Sequence, residues 1–136
     1  MNGTTKTYID GSKMWYLNDV LHRDDGPASE YANGEKLWYL NGVLHREDGP
    51  AIEYANGAKE WWINGKCHRE DGPAIMMKNG TKEWWINDKR HREDGPAVID
   101  YFYGKKWYLD GHHIRYDKET WDQIVKENQI KHIMEL

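Results

Sequence analysis

The chain has 136 residues, a mean hydropathy of −1.02 and a single Phe, a composition that excludes a deep aliphatic core. Its apolar mass sits in eight Trp and nine Tyr, side chains that bury large areas while keeping a polar tip wet, as suits a thin sheet. Nineteen Lys and Arg against 23 Asp and Glu give a net charge of −4 with no block of one sign, a poor footprint for nucleic acid or an anionic membrane.

The lone Cys67 allows no intrachain disulfide. The amino terminus is polar and carries no hydrophobic run of the kind a signal or membrane span needs. A cytoplasmic protein with no membrane association is therefore expected.

One heptapeptide organises the rest. His22-Arg23-Asp24-Asp25-Gly26-Pro27-Ala28 returns as His45 to Ala51, His68 to Ala74 and His91 to Ala97, each copy 23 residues after the last. A fixed period of this length signals stacked supersecondary units. Phased on the Asp-Gly, with Asn2-Gly3-Thr4-Thr5 in the first slot, five units are predicted at 2–24, 25–47, 48–70, 71–93 and 94–116. The tail from Asp117 is distinct.

Each regular unit holds Asp10-Gly11, Asn33-Gly34, Asn56-Gly57 or Asn79-Gly80 between short aromatic and branched runs, which predicts a β-hairpin with a two-residue type I′ turn. Counting outward puts Tyr54 opposite Lys59, Ile52 opposite Trp61, Ala51 opposite Trp62 and Glu53 opposite Glu60. By strand alternation one face carries Trp15, Trp38, Trp61, Trp84 and Trp107, and the other carries Tyr16, Tyr39, Trp62, Trp85 and Tyr108. The first face, with Leu17, Leu40, Ile63, Ile86 and Leu109, is expected to pack beneath the Asn-Gly-x-x-His-Arg connections. The second, where each aromatic lies above a small residue, is expected to be the more solvated, because the Glu53 and Glu60 pair is costly if buried.

In the fifth unit Gly104 comes one position late, so an irregular hairpin is expected there. Asp117 reads as an N-cap, and Trp121, Ile124 and Val125 follow at helical spacing. A helix from about Lys118 to about Asn128 or beyond would cover the last sheet edge. The fold predicted is mainly β: an elongated antiparallel sheet of five hairpin repeats with a C-terminal capping helix at 117–136.

The recurring His-Arg-acid-Asp run invites a catalytic or metal reading, but equivalent residues two strands apart stand roughly 10 Å from each other. Histidines so spaced cannot share one zinc, and four equal copies lack the single asymmetric constellation that catalysis needs. The expected roles are structural: Asp25, Asp48, Asp71 and Asp94 bond the Gly-Pro turn, Arg pairs with acids of the next unit, and His packs while donating one bond. Ile114 in the fifth His slot fits packing. His112 and His113, adjacent on a strand, point to opposite faces, and Cys67 occupies a slot held elsewhere by Leu21, Leu44 and Arg90. No catalytic residue, metal or cofactor is predicted.

The candidate partner-binding residues are Tyr16, Tyr39, Glu60, Trp62, Glu83, Trp85 and Tyr108, because displayed Trp and Tyr on a rigid frame make good interface anchors. A protein partner is expected, with a homodimer left open by the exposed first sheet edge. The rival is a small-ligand binder, a nucleotide-signal sponge or a glycan binder, stacking its ligand on the aromatics.

The unit Tyr-x-Asn-Gly-x-Lys-x-Trp-Tyr-x-Asn-Gly-x-x-His-Arg-x-Asp-Gly-Pro-Ala, as in Tyr31 to Ala51, resembles the MORN repeat, especially its variants in bacterial, phage and large-virus proteins. The resemblance covers 2–116. It departs where MORN units have a Gly after the His, since Arg23, Arg46, Arg69 and Arg92 stand there, and the lipid binding of MORN proteins is not carried over. The resemblance implies an elongated sheet of hairpins used for protein contacts, not an enzyme. Small proteins of this type look like phage or mobile-element products, which suggests an inhibitor of a host defence protein such as a nuclease or CRISPR effector.

Overall fold

The computed structural model describes residues 3–136; Asn2, the expected start of the first unit, lies outside the described residues. Among the described residues the chain is mainly β, with one helix, Trp121–Met134, at its end. A twelve-stranded antiparallel sheet runs the length of the repeats as a meander, from Gly3–Thr7 and Lys13–Leu17 through Ile52–Glu53 and Lys59–Glu60 to Val98–Asp100, Gly104–Leu109 and His112–Ile114. Each of the three middle units contributes two strands to it, and the first and fifth contribute three.

Each unit also makes a second hairpin, in the stretch expected to be a connection. In the middle units these are Tyr39–Leu40 with Val43–Leu44, Trp62–Ile63 with Lys66–Cys67, and Trp85–Ile86 with Lys89–Arg90. Here lie the turns with positive φ at both central residues: Asn41-Gly42 (51° and 80°), Asn64-Gly65 (49° and 77°) and Asn87-Asp88 (46° and 65°). This is the type I′ requirement, and Asp tolerates it where Gly is missing.

The predicted type I′ turns are instead three-residue loops. At Tyr54 to Ala58, Gly57 N–H donates to Tyr54 O (3.0 Å) and Tyr54 N–H to Ala58 O (2.9 Å). Gly57 alone has positive φ, at 90°, and Asn56 Oδ1 accepts from Ala58 N–H at 2.9 Å. That is a type I turn closed by a G1 bulge.

The extra loop residue shifts the register by one, which changes the face of every residue on one strand. Ile52 lies opposite Glu60 and Glu53 opposite Lys59, so the expected Glu53 and Glu60 pair does not exist and Ile52 moves to the Glu60 face. The small residue moves too: Trp38 N–H donates to Ala51 O and Trp61 N–H to Ala74 O (2.8 and 2.7 Å), and Ala28, Ala51, Ala74 and Ala97 are fully buried. The alanines make room for the first aromatic of each pair, not the second.

Trp38, Trp61 and Trp84 are the residues at which the chain passes from the long sheet to the second hairpin. Trp61 N–H reaches Ala74 while Trp61 O accepts from His68 N–H. Successive second hairpins are joined in turn, with Gly65 N–H donating to Leu44 O (2.8 Å) and Arg46 N–H to Trp62 O (3.1 Å). Every unit therefore contacts its neighbour through both hairpins, the nearest-neighbour coupling of a repeat protein.

In the fifth unit the register is kept, Val98 opposite Lys106, but the positive φ moves to Gly104. The irregular tip, Tyr101-Phe102-Tyr103, is exposed, and the Asp100 carboxylate holds it by accepting from Phe102 and Tyr103 N–H at 2.8 and 2.9 Å. Asp117 opens a turn, with its carboxylate accepting from Glu119 N–H (2.8 Å), and the helix proper starts at Trp121, three residues later than the expected start and running six further than Asn128. Trp121 is buried and its indole N–H donates to Glu93 O at 2.7 Å; Asn128 and His132 both reach the Asp110 carboxylate, at 2.9 and 2.8 Å. The helix thus caps the last unit. No helix among the described residues is long and apolar enough to cross a membrane.

Candidate binding face

The heptapeptide is a clamp. Arg46 stacks on Trp38 with Cζ 3.9 Å from the ring centroid, donates through Nε to Asp48 Oδ1 and through Nη1 to Pro50 O, both at 3.0 Å, and crosses Gly49 so closely that a Cβ there would stand 2.9 Å from Cζ. Arg23, Arg69 and Arg92 repeat the stacking at the same 3.9 Å on Trp15, Trp61 and Trp84. The Asp carboxylates hold Arg rather than the turn backbone expected of them, and the Gly is required by the guanidinium rather than by its own dihedrals. In the fifth unit Tyr116 replaces the guanidinium, stacked on Trp107 at 4.2 Å and 9°.

The histidines tie units together. His22, His45, His68 and His91 accept through Nδ1 from the backbone N–H of Asn41, Asn64, Asn87 and Asp110 at 2.9 to 3.1 Å. Nδ1 as acceptor assigns the proton to Nε2, which in His22 faces Asp24 Oδ1 at 3.0 Å. Each imidazole is the acceptor for a type I′ turn of the next unit. Grooves of about 670 to 800 Å³ lie between successive heptapeptides on this side.

The opposite face carries the seven candidate residues. Glu60 and Trp62, and Glu83 and Trp85, are two apart on their strands and share that face, with Tyr16, Tyr39 and Tyr108 in equivalent places. All five aromatics are half-buried, as are the Trp residues of the other face; the expected contrast between a packed and a solvated side is absent. Glu83 is buried at 9% exposure and Glu60 half-buried.

The two glutamates are used differently. Glu83 accepts from Trp85 Nε1 (2.9 Å) and from Arg90 Nη2 (3.2 Å), while the Arg90 guanidinium lies 5.1 and 5.4 Å from the centroids of Trp85 and Tyr108. Glu60 instead accepts from the Tyr54 hydroxyl, and the buried Trp62 Nε1 has no partner among the described residues. Burial, then the bond to and the charge of Glu60, push the Tyr54 hydroxyl well above its ordinary range.

The slot of Arg90 is filled in the third unit by Cys67, opposite Trp62. Cys67 is 3% exposed, and burial first, then the charges of Glu60, Asp88 and Glu83, push its thiol up to about 12. Beside Glu60 a cleft of about 450 Å³ lies between Tyr54 and Met77, with Ala58 and Ile75 in its lining. Tyr54 and Arg90 belong to this face without being among the expected residues; the exchange of Arg90 for Cys67 is visible in the repeats, but its link to Glu83 needs the second hairpin, which pairs Arg90 with Trp85.

His113 stands 5.1 Å from Tyr108, ring to ring, and its neighbour His112 pairs with Leu109, so the two do not converge. Among the described residues no group of three His, Cys, Asp or Glu is placed to hold a metal ion. No family model and no curated protein matches the chain.

Proposed function

We propose that the chain is a non-enzymatic protein-binding module that engages its partner through the face of Tyr16, Tyr39, Glu60, Trp62, Glu83, Trp85 and Tyr108. The observation that carries this is the use of the recurring polar residues elsewhere: each His, Arg and Asp of the heptapeptide is committed to clamping one unit to itself or to the next, which leaves the aromatic face as the surface free to vary in chemistry from unit to unit. Half-buried Trp and Tyr held by such a frame lose little side-chain entropy on binding. The MORN-like resemblance points the same way.

The test is capture of a protein partner by tagged wild type compared with a Trp62→Ala/Trp85→Ala variant shown to fold by cooperative unfolding. A stoichiometric partner lost from the variant is expected. Equal capture by the folded variant would overturn the assignment of the face.

A further inference from the structure

Thr5, Ala28, Ala51, Ala74 and Ala97 fill one slot of the repeat. The four alanines each accept, through the backbone O, from the N–H of a Trp in the preceding unit: Trp15, Trp38, Trp61 and Trp84, at 2.7 to 2.8 Å. Thr5 has no unit before it, and no strand lies beyond Gly3–Thr7 among the described residues. All five residues of that strand are exposed. In later units the slots of Gly3 and Thr4 hold the Gly-Pro turn, and the corresponding strand has only two or three residues; with Thr4 in place of Pro it runs to five. Proline would remove a ladder donor here, and threonine keeps it. Lys6, the one charge on the strand, is drawn over the Tyr16 ring, with Nζ 5.0 Å from the centroid. A long, straight edge is thus left unblunted.

The two ends of the sheet are not alike. Thr120 and Trp121 follow Ala97 and Val98 by one period, where a sixth unit would begin its strand, but the helix starts there and docks through Trp121 and Asp110. A head-to-tail stack needs that place, which the helix has taken. The free backbone groups at the first edge are, by contrast, complementary to themselves. Trp15 uses both its N–H and its O away from Gly3–Thr7, donating to Ala28 O and accepting from His22 N–H, so its cross-strand partner Thr5 makes no bond to it. By the alternation of an antiparallel ladder, Thr4 and Lys6 bond inward while Gly3, Thr5 and Thr7 turn their N–H and O outward. These three are symmetric about Thr5. A second copy of the strand, antiparallel and centred there, sets Thr5 against Thr5, Gly3 against Thr7 and Thr4 against Lys6. The Thr5–Thr5 pair and both Gly3–Thr7 pairs then exchange backbone hydrogen bonds, no like charges are opposed, and a β-branched pair stands at the centre.

We propose that the chain forms a two-fold dimer in which Gly3–Thr7 of one copy pairs with Gly3–Thr7 of a second, centred on Thr5. The contact is isologous and closed. It joins two twelve-stranded sheets into one with a helix at each end, and puts the aromatic faces of both copies on one side of it. The dimer does not depend on what that face binds.

Sedimentation equilibrium of the full-length chain from micromolar to millimolar concentration tests it, and a mass rising to twice the 16.2 kDa of the chain is expected. Thr5→Pro removes an outward N–H and no bond within the chain, so the monomer stays folded, as cooperative unfolding checks. It should raise the dissociation constant at least about thirtyfold, through the two central hydrogen bonds. Cysteines read the register: across the two-fold axis the Thr5 Cα atoms stand roughly 5.5 Å apart, within disulfide reach, and the Thr7 Cα atoms roughly 14 Å. Oxidation should therefore link Thr5→Cys into dimers and not Thr7→Cys, with the buried Cys67 taking no part. A wild type that keeps the monomer mass, a folded Thr5→Pro that dimerises as well as wild type, or equal cross-linking at the two positions overturns the proposal. If Thr5→Pro fails to fold, the cysteine pair decides alone.

Discussion

Substituting Gly49 by Ala isolates the clamp that the heptapeptide builds. Gly49 has no positive φ, so on backbone grounds alone Ala should stabilise by about 0.4 to 1 kcal/mol through the entropy of the unfolded chain. The structure reverses the sign, because the added Cβ would stand 2.9 Å from Arg46 Cζ and 3.2 Å from Nε and Nη1. The guanidinium can swing away, so the cost is capped by what it loses. The contact with Asp48 is a surface pair, with side chains 22% and 87% exposed, and is worth little. The bond to Pro50 O contributes about 1 kcal/mol and the stacking on Trp38 about another. Net destabilisation of about 1 kcal/mol or slightly more is expected by urea unfolding, and Gly49→Ala in an Arg46→Ala background should instead be neutral or stabilising. A stabilised Gly49→Ala in the otherwise native chain would refute the clamp.

Other outcomes follow from the same contacts. Tyr54→Phe releases Glu60 to accept from Trp62 Nε1, as Glu83 does from Trp85 where Met77 replaces the tyrosine; the loss should stay below about 0.5 kcal/mol, with a downfield shift of the Trp62 indole proton as the check. Cys67, with its thiol near 12, should react with thiol reagents at pH 8 only after unfolding. Because the folded value is raised, its contribution to stability is complete below the ordinary thiol value of 9.0 and is lost as pH rises from there towards 12, which denaturant titrations across that window would measure. At Asp110 burial favours the neutral acid, but the Asn128 bond and the His91 and His132 charges outweigh it and hold the carboxyl below its ordinary 3.8. Helix docking therefore gains from Asp110 above that value and loses the gain as pH falls through the depressed one, and hydrogen exchange along Trp121–Met134 should accelerate at that point. Asp110→Asn should loosen the same helix at neutral pH.

Much of this protein is legible from its period. Twenty-three residues per unit, one antiparallel hairpin of each unit in a long sheet and a helical cap all appear in the chain, because repetition forces each local preference to be met at every copy; the second hairpin of each unit does not. The structural role of the heptapeptide is also legible, since four equal copies at strand spacing cannot converge. The partners within it are not: that Asp48 holds Arg46 while Gly49 yields to the guanidinium depends on a stacking geometry between residues eight and more positions apart.

What the sequence could not decide is which Asn-Gly does what. Both pairs in a unit supply positive φ, Asn64-Gly65 at both residues and Asn56-Gly57 at the glycine alone, and either turn closes a hairpin from the same dipeptide. Tertiary packing makes the choice, because only the three-residue loop brings the buried Ala51 beneath Trp38 and Trp61 and sets Glu53 against Lys59. One loop residue fixes the register, and the register sets Ile52 rather than Glu53 opposite Glu60.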